Sequence, residues 1–216
     1  MKKIITLIAA VASLMSLSSC EALLDTIAND PMFQVRDLYD GQEFRLIRTS
    51  TCTYEWYGWN KDYVSLEVKG KEAWITVSLN GNDQPVKTSI SAKNPDKADV
   101  EPRTEEFEIR PWKLAIFKAV GDKWEEVSTG QLEVGQKYSA SMVCREYGVA
   151  DWKSVASIPY TTLETAKLEW TIDETNLKDV DKHETYTTFV VNKAFESLAI
   201  SAKLNETSRR ISVSAK

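Results

Sequence analysis

Three cysteines and one histidine are the scarce reactive side chains of this 216-residue chain, and their positions bound the chemistry open to it. With His183 alone, a zinc centre built on several imidazoles is excluded. His183 sits in the polar run Asp179–Glu184, where a solvated loop residue is expected rather than a general base. Asp173, Glu174, Asp179 and Asp181 gather carboxylates of the kind hard cations use, without the glycine-centred spacing of a calcium loop. An acidic, solvated loop is the expected reading there. The chain has no Gly-x-Ser-x-Gly elbow and no glycine-rich phosphate loop. Glycoside hydrolysis needs only two carboxylates, but no spacing marks out a particular pair. No catalytic residue, metal ligand or cofactor is therefore assigned, and a non-enzymatic protein is expected.

The pattern most suggestive of binding is aromatic. Tyr54, Trp56, Tyr57, Trp59 and Tyr63 fall within ten residues, around Gly58 and beside the polar Asn60, Lys61 and Asp62. Exposed rings with polar neighbours form stacking platforms for sugars, whose apolar faces meet the ring while the rim supplies hydrogen bonds. The competing reading puts Tyr54 and Trp56 in a core strand and has Tyr57 and Trp59 cap the sandwich end. Exposure of Tyr57 or Trp59 discriminates between the two.

The remaining thiols are Cys20, Cys52 and Cys144. On a strand, Cys52 shares a face with Tyr54 and Trp56, and Cys144 shares one with Tyr138, Ala140 and Met142, so both are expected to face a core. Either they are bridged, closing a long loop for about 4–5 kcal/mol on the chain-entropy account, or both are buried free thiols.

Cys20 has a different setting. Lys2 and Lys3 precede an uncharged run from Ile4 to Leu17, which is too short to span a bilayer as a helix and suits a signal-peptide core. The run ends in Leu17-Ser18-Ser19-Cys20. This resembles the lipobox of bacterial lipoproteins, which implies cleavage before Cys20, lipidation of its thiol and a Gram-negative envelope location. The outer membrane is expected, on its periplasmic face or at the cell surface. Loss of Lys2 and Lys3 makes a chain of net charge −5 still more acidic. An acidic body is repelled by anionic lipid, so the lipid anchor rather than a basic patch would hold it at the membrane. The same balance, with a pI near 5.1, argues against a nucleic-acid partner.

These residues are positioned by strands. Val64, Leu66 and Val68 alternate with Ser65, Glu67 and Lys69; Ala73, Ile75, Val77 and Leu79 alternate with Trp74, Thr76 and Ser78. Turn residues punctuate the runs at Gly70, Asn80-Gly81, Asn94-Pro95, Gly121-Asp122 and Gly135, and no long stretch after residue 34 carries helical periodicity. The expected class is all-β, an antiparallel sandwich that is either extended or in two parts.

Between residues 110 and 163 the run Trp112–Lys118, the turn at Gly121-Asp122, the corner Leu132-Glu-Val-Gly135-Gln-Lys-Tyr138 and the strand to Cys144 resemble the second half of a fibronectin type III or related immunoglobulin-like domain. The match departs from antibody-type domains at Met142, where those carry Tyr two residues before the second Cys. Residues 80–108 are also longer and more polar than the usual connection.

The expected organisation is a signal peptide over 1–19, a lipidated tether over 20–34 and a β-sandwich domain over 35–163. Strands over 164–216 would complete that sandwich or form a small second sheet. Its strand at the C-terminus is a candidate edge for β-addition. The expected function is a membrane-anchored ligand-binding or interaction module with a glycan or an envelope protein as partner, or else an assembly or adhesion component docking through strand edges.

Overall fold

The computed structural model describes residues 33–46, 53–70, 72–128, 130–155 and 166–216, and among these the chain is all-β. The first part holds β1 (Leu38–Tyr39), β2 (Glu43–Arg45), β3 (Glu55–Tyr57), β4 (Val64–Lys69), β5 (Glu72–Val77), β6 (Val86–Lys93) and β7 (Arg103–Arg110). They form a sheet of order β1-β7-β6-β3 facing a sheet of order β2-β5-β4. The period-two pattern explains the pairing. Ala73, Ile75 and Val77 of β5 point inward and meet Ile90 and Ala92 of β6 and Phe107 and Ile109 of β7 in one core. Lys69 pairs with Glu72, so the β4–β5 hairpin turns through two residues, and Gly70 supplies the positive φ that such a turn requires.

The second part holds β8 (Trp112–Val120), β9 (Lys123–Glu126), β10 (Gln131–Leu132), β11 (Lys137–Cys144), β12 (Lys153–Ser154), β13 (Glu169–Ile172), β14 (Leu177–Lys182), β15 (Tyr186–Val191), β16 (Phe195–Leu204) and β17 (Thr207–Ala215). One sheet runs β14-β15-β11-β8-β9, with β12 on β11, and the facing sheet runs β10-β17-β16-β13. Ile116, Tyr138, Ala140, Phe189 and Val191 from the first sheet pack against Leu198, Ile200, Val213 and Ala215 from the second. The corner at Leu132–Tyr138 forms as its residues imply. Leu132 and Tyr138 are buried, and the Tyr138 hydroxyl accepts the Glu133 N–H at 2.8 Å across the turn made by Gly135.

Three features differ from the sequence expectations. The sheets divide at Pro111 rather than near residue 163. Of the last strands, β14 and β15 join the sheet of β11 and β8, and β13, β16 and β17 with β10 form the sheet that faces it, while residues 80–108 supply β6 and β7 to the first sandwich. The C-terminal strand is covered at its end: Ser214 and Ala215 of β17 pair with Gln131 and Leu132 of β10, while β16 holds the other flank along its length. Finally, Leu177–Lys182, read as part of a polar loop, is the edge strand β14. Leu177 is buried there and the charged residues face water, as an outermost strand allows.

Candidate functional site

The aromatic cluster divides unequally between core and solvent. Tyr54 is buried, and Trp56, Trp59 and Tyr63 are half-buried against the first core. Trp56 meets Phe33 edge to face at 4.9 Å and Tyr54 at 6.3 Å, geometry that an aromatic core favours. Lys61 sits over the Trp59 ring, Nζ 5.9 Å from its centroid. Tyr57 alone stands out, 38% exposed. The polar neighbours are also engaged: Asn60 Oδ1 accepts the Asp62 N–H at 3.0 Å, and the Asp62 carbonyl accepts Asn80 Nδ2. The five aromatics are brought together on the first sandwich: four pack on its core, and the exposure that a binding platform needs is met by Tyr57 alone.

The reactive groups are likewise held in structural contacts. Cys144 is a free, fully buried thiol; burial pushes it up to about 11, against the pull of the neighbouring Arg110 guanidinium. Cys52, its candidate partner, and Cys20 lie outside the described residues. His183 stacks on Tyr186 with centroids 4.2 Å apart, and its Nε2 lies 3.0 Å from Asp181 Oδ2. Glu174 pairs with Lys182 at 2.9 Å. Asp173 accepts both the hydroxyl and the N–H of Thr175, and the hydroxyl bond leads in holding its carboxyl below the usual range. Around His183, an open cleft of about 480 Å³ is lined by Lys167, Leu168, Trp170, Lys182 and Glu184. Trp170 crosses it to donate its indole N–H to the His183 carbonyl at 2.9 Å.

The densest polar construction lies where the two sandwiches meet, at residues that composition and spacing did not single out. Asp40 follows β1, and its side chain is 4% exposed. Its Oδ1 accepts the Leu79 N–H at 2.7 Å, within the first sandwich. Its Oδ2 accepts Arg209 Nη2, from β17 of the second sandwich, also at 2.7 Å. The Asp40 carbonyl accepts the Trp112 indole N–H at 2.8 Å, and Arg209 Nε donates to the Trp112 carbonyl at 3.1 Å. The next carbonyl, of Gly41, accepts Asn205 Nδ2 from the β16–β17 turn at 2.9 Å. Beneath these bonds Tyr39 joins Trp112, Leu114, Met142, Cys144, Ala202 and Leu204 in a third apolar cluster shared by both halves.

A second clamp flanks the first. Arg110, at the end of β7, reaches Asp37 at 2.9 Å, Glu108 at 2.9 Å and Glu146 at 3.2 Å. The segment after β11 crosses to the first sandwich through the Tyr147 N–H, which donates to Glu108, and through Arg145, which pairs with Asp83. Lys113 and Arg145 sit over the Trp152 ring at 4.5 and 5.0 Å. The visible sequence signals for this joint are the Asp40-Gly41 and Asn205-Glu206 turns. Neither dipeptide says what it will dock against.

No protein-family model matches the chain, and no curated protein matches it. Solved structures similar to it include a three-immunoglobulin-domain fragment of titin (14% identity, TM-score 0.28, 86% of this chain and 64% of that one). Others are the human desmocollin-1 ectodomain (11%, 0.28, 87% and 40%) and an endo-fucoidan hydrolase of glycoside hydrolase family 107 (11%, 0.29, 87% and 28%). The chain spans less than two thirds of each of these. At such scores the similarities carry no argument about activity, and the sandwich assignment rests on the strand pairing itself.

Proposed function

We propose that this protein is a lipid-tethered, non-enzymatic interaction module of a Gram-negative cell envelope, anchored in the outer membrane through Cys20. The observation that carries this reading is the engagement of its reactive groups. Cys144 is buried beside Arg110, His183 is stacked and paired, and the carboxylates of Asp40, Glu108 and Glu146 bond across the joint between the two sandwiches. What the body offers outward is strand edges and scattered apolar side chains, among them Tyr57, Val68, Trp124 and Tyr147. Work of this kind is done by surfaces. The joint supports the reading too, since two clamped sandwiches present their surfaces in a fixed relation.

The tether is tested by expressing the full-length chain and Cys20→Ser with a radiolabelled fatty acid. The wild type is expected to carry label and enter the membrane fraction, while Cys20→Ser loses both. An unlabelled, soluble wild-type chain overturns the anchor. The edge-docking form of the function is favoured over the glycan form because four of the five clustered aromatics pack on the core.

A further inference from the structure

Asn80 and Gly81 form the one Asn-Gly step in the chain. Such a step carries chemistry of its own, because the backbone nitrogen after an asparagine can attack the side-chain Cγ, and glycine leaves that approach unhindered. The Cγ–Nδ2 bond breaks, ammonia departs with the proton of the attacking nitrogen, and a succinimide ring remains. Water then opens the ring at either carbonyl and returns a proton to the nitrogen. The product is aspartate, or isoaspartate with the main chain rerouted through the side-chain carbons. Water is the only co-reactant, and nothing is oxidised or reduced.

The nucleophile is at hand. Asn80 and Gly81 are exposed at the centre of a turn closed by the Asn82 N–H to the Leu79 carbonyl at 2.9 Å. The Gly81 N–H donates to no group among the described residues, and a Cβ built on Gly81 would meet nothing within 4 Å. The electrophile, by contrast, is tied down. Asn80 Nδ2 donates to the Asp62 carbonyl at 2.6 Å, and Oδ1 accepts the Ser78 hydroxyl at 3.1 Å. Ser78 Oγ in turn accepts the Asn80 N–H at 3.2 Å, and Asn80 is held at φ +52°. These bonds tie the carboxamide to residues before it in the chain, whereas attack comes from the residue after it. The Asp40-Gly41 step, the chain's one Asp-Gly, lacks both requirements. Its carboxylate is buried against Arg209, and the Gly41 N–H is spent on the Val77 carbonyl at 2.9 Å.

We infer that Asn80 is a deamidation site that converts when its turn opens, and that conversion weakens the turn and the joint beside it. Either product replaces the Nδ2 donor with a carboxylate oxygen, so that two acceptors meet at the Asp62 carbonyl. The neighbouring Leu79 is buried, and its N–H is the one that Asp40 Oδ1 accepts at 2.7 Å. Asp40 in turn holds Arg209 of the second sandwich. A change at an exposed turn is thereby passed to the seam. The inference is independent of the anchor and of any partner.

The test is incubation of the full-length wild type and Ser78→Ala in mildly alkaline buffer, each native and in urea. Peptide mapping then scores amide, aspartate and isoaspartate at every asparagine. In urea Asn80 is expected to convert ahead of every other asparagine. Native wild type should convert at Asn80 about tenfold or more slowly than in urea, since two side-chain hydrogen bonds must first break. Ser78→Ala should raise the native rate about fivefold and leave the urea rate unchanged. Unaltered conversion at the other asparagines separates this local opening from global unfolding. Native conversion as fast as in urea overturns the inference, as does an Asn80 no faster than the rest or left intact in both native forms. A Ser78→Ala rate equal to wild type overturns it as well. For the consequence, Asn80→Asp should unfold at lower urea than wild type, and the shift should shrink in an Asp40→Asn background. An unshifted midpoint, or a shift of equal size in both backgrounds, overturns the link to the joint.

Discussion

Asp40 and Arg209, separated by most of the chain, meet at 2.7 Å in the seam between the sandwiches, with the Asp40 side chain 4% exposed. A buried carboxylate with one cationic partner is costly to leave alone, so the pair matters most through what its removal exposes. Arg209→Met is expected to destabilise by about 2–3 kcal/mol, reduced from the fully buried value because Arg209 is about a third exposed. Asp40→Asn in the Arg209→Met background should recover part of that loss, because a neutral amide no longer strands a charge. Urea denaturation of the four forms reads the coupling, and additive effects would show that the pair does not act as a pair.

The neighbouring Gly41 makes a sharper demand. It holds φ +88°, and a Cβ built there would lie 2.3 Å from Thr207 Oγ1 and 2.9 Å from the Leu204 carbonyl oxygen. Gly41→Ala therefore combines left-handed strain with a clash against the β16–β17 turn, for an expected loss of about 3 kcal/mol or more. Adding Thr207→Gly removes the side-chain clash but not the strain or the carbonyl contact, so rescue should be partial. Full tolerance of Gly41→Ala in thermal melts would show that the turn does not dock as described.

The strand content of this fold was legible because burial on one face writes itself as period two. Ala73, Ile75 and Val77 alternate, and the Leu132–Tyr138 corner announces its own burial. The division at Pro111 was not legible. β7 ends at Arg110 and β8 begins at Trp112, with a single residue between them and no linker composition to mark a boundary. β14 was missed for a related reason, since an edge strand with one buried anchor at Leu177 has the composition of a loop. Long-range pairs such as Asp40 with Arg209 leave no local pattern at all. Their partners are chosen by how two sandwiches stack, which no short window of sequence contains.

Within the aromatic cluster, the structure predicts a split between neighbours. Trp59 packs on the first core and carries Lys61 on its ring, so Trp59→Ala should cost about 2 kcal/mol. Tyr57 is exposed, and Tyr57→Ala should stay within about 0.5 kcal/mol of wild type. Equal losses at the two positions in denaturant titrations would contradict the packing assigned here.

Removal of residues 209–216 tests the placement of the C-terminal strand. The deletion takes Val213 and Ala215 from the second core, strips β10 of its partner and leaves Asp40 without Arg209. Loss of cooperative unfolding in the second sandwich is expected, seen as rapid proteolysis beyond residue 112. A truncated chain with native dispersion in its amide NMR spectrum would instead show β17 to be a dispensable edge.

Cys144 gives stability a pH dependence whose sign follows from its surroundings. Burial pushes the thiol up to about 11, with Arg110 the leading opposing influence, whereas an unfolded thiol titrates near ~8.5. As pH rises, the unfolded chain releases its proton first, so over that window the native state binds more protons and stability falls. The contribution is intact below about pH 8.5 and is lost progressively toward about 11, on the order of 3 kcal/mol from this group. Cys144→Ala lowers stability at neutral pH by opening a small cavity, but it should flatten the alkaline slope relative to wild type. Denaturant midpoints measured from pH 7 to 11 give both curves, and parallel slopes would mean that the thiol is not the buried, neutral group seen beside Arg110. Under native conditions at neutral pH, the same burial should leave Cys144 unalkylated until the chain is unfolded.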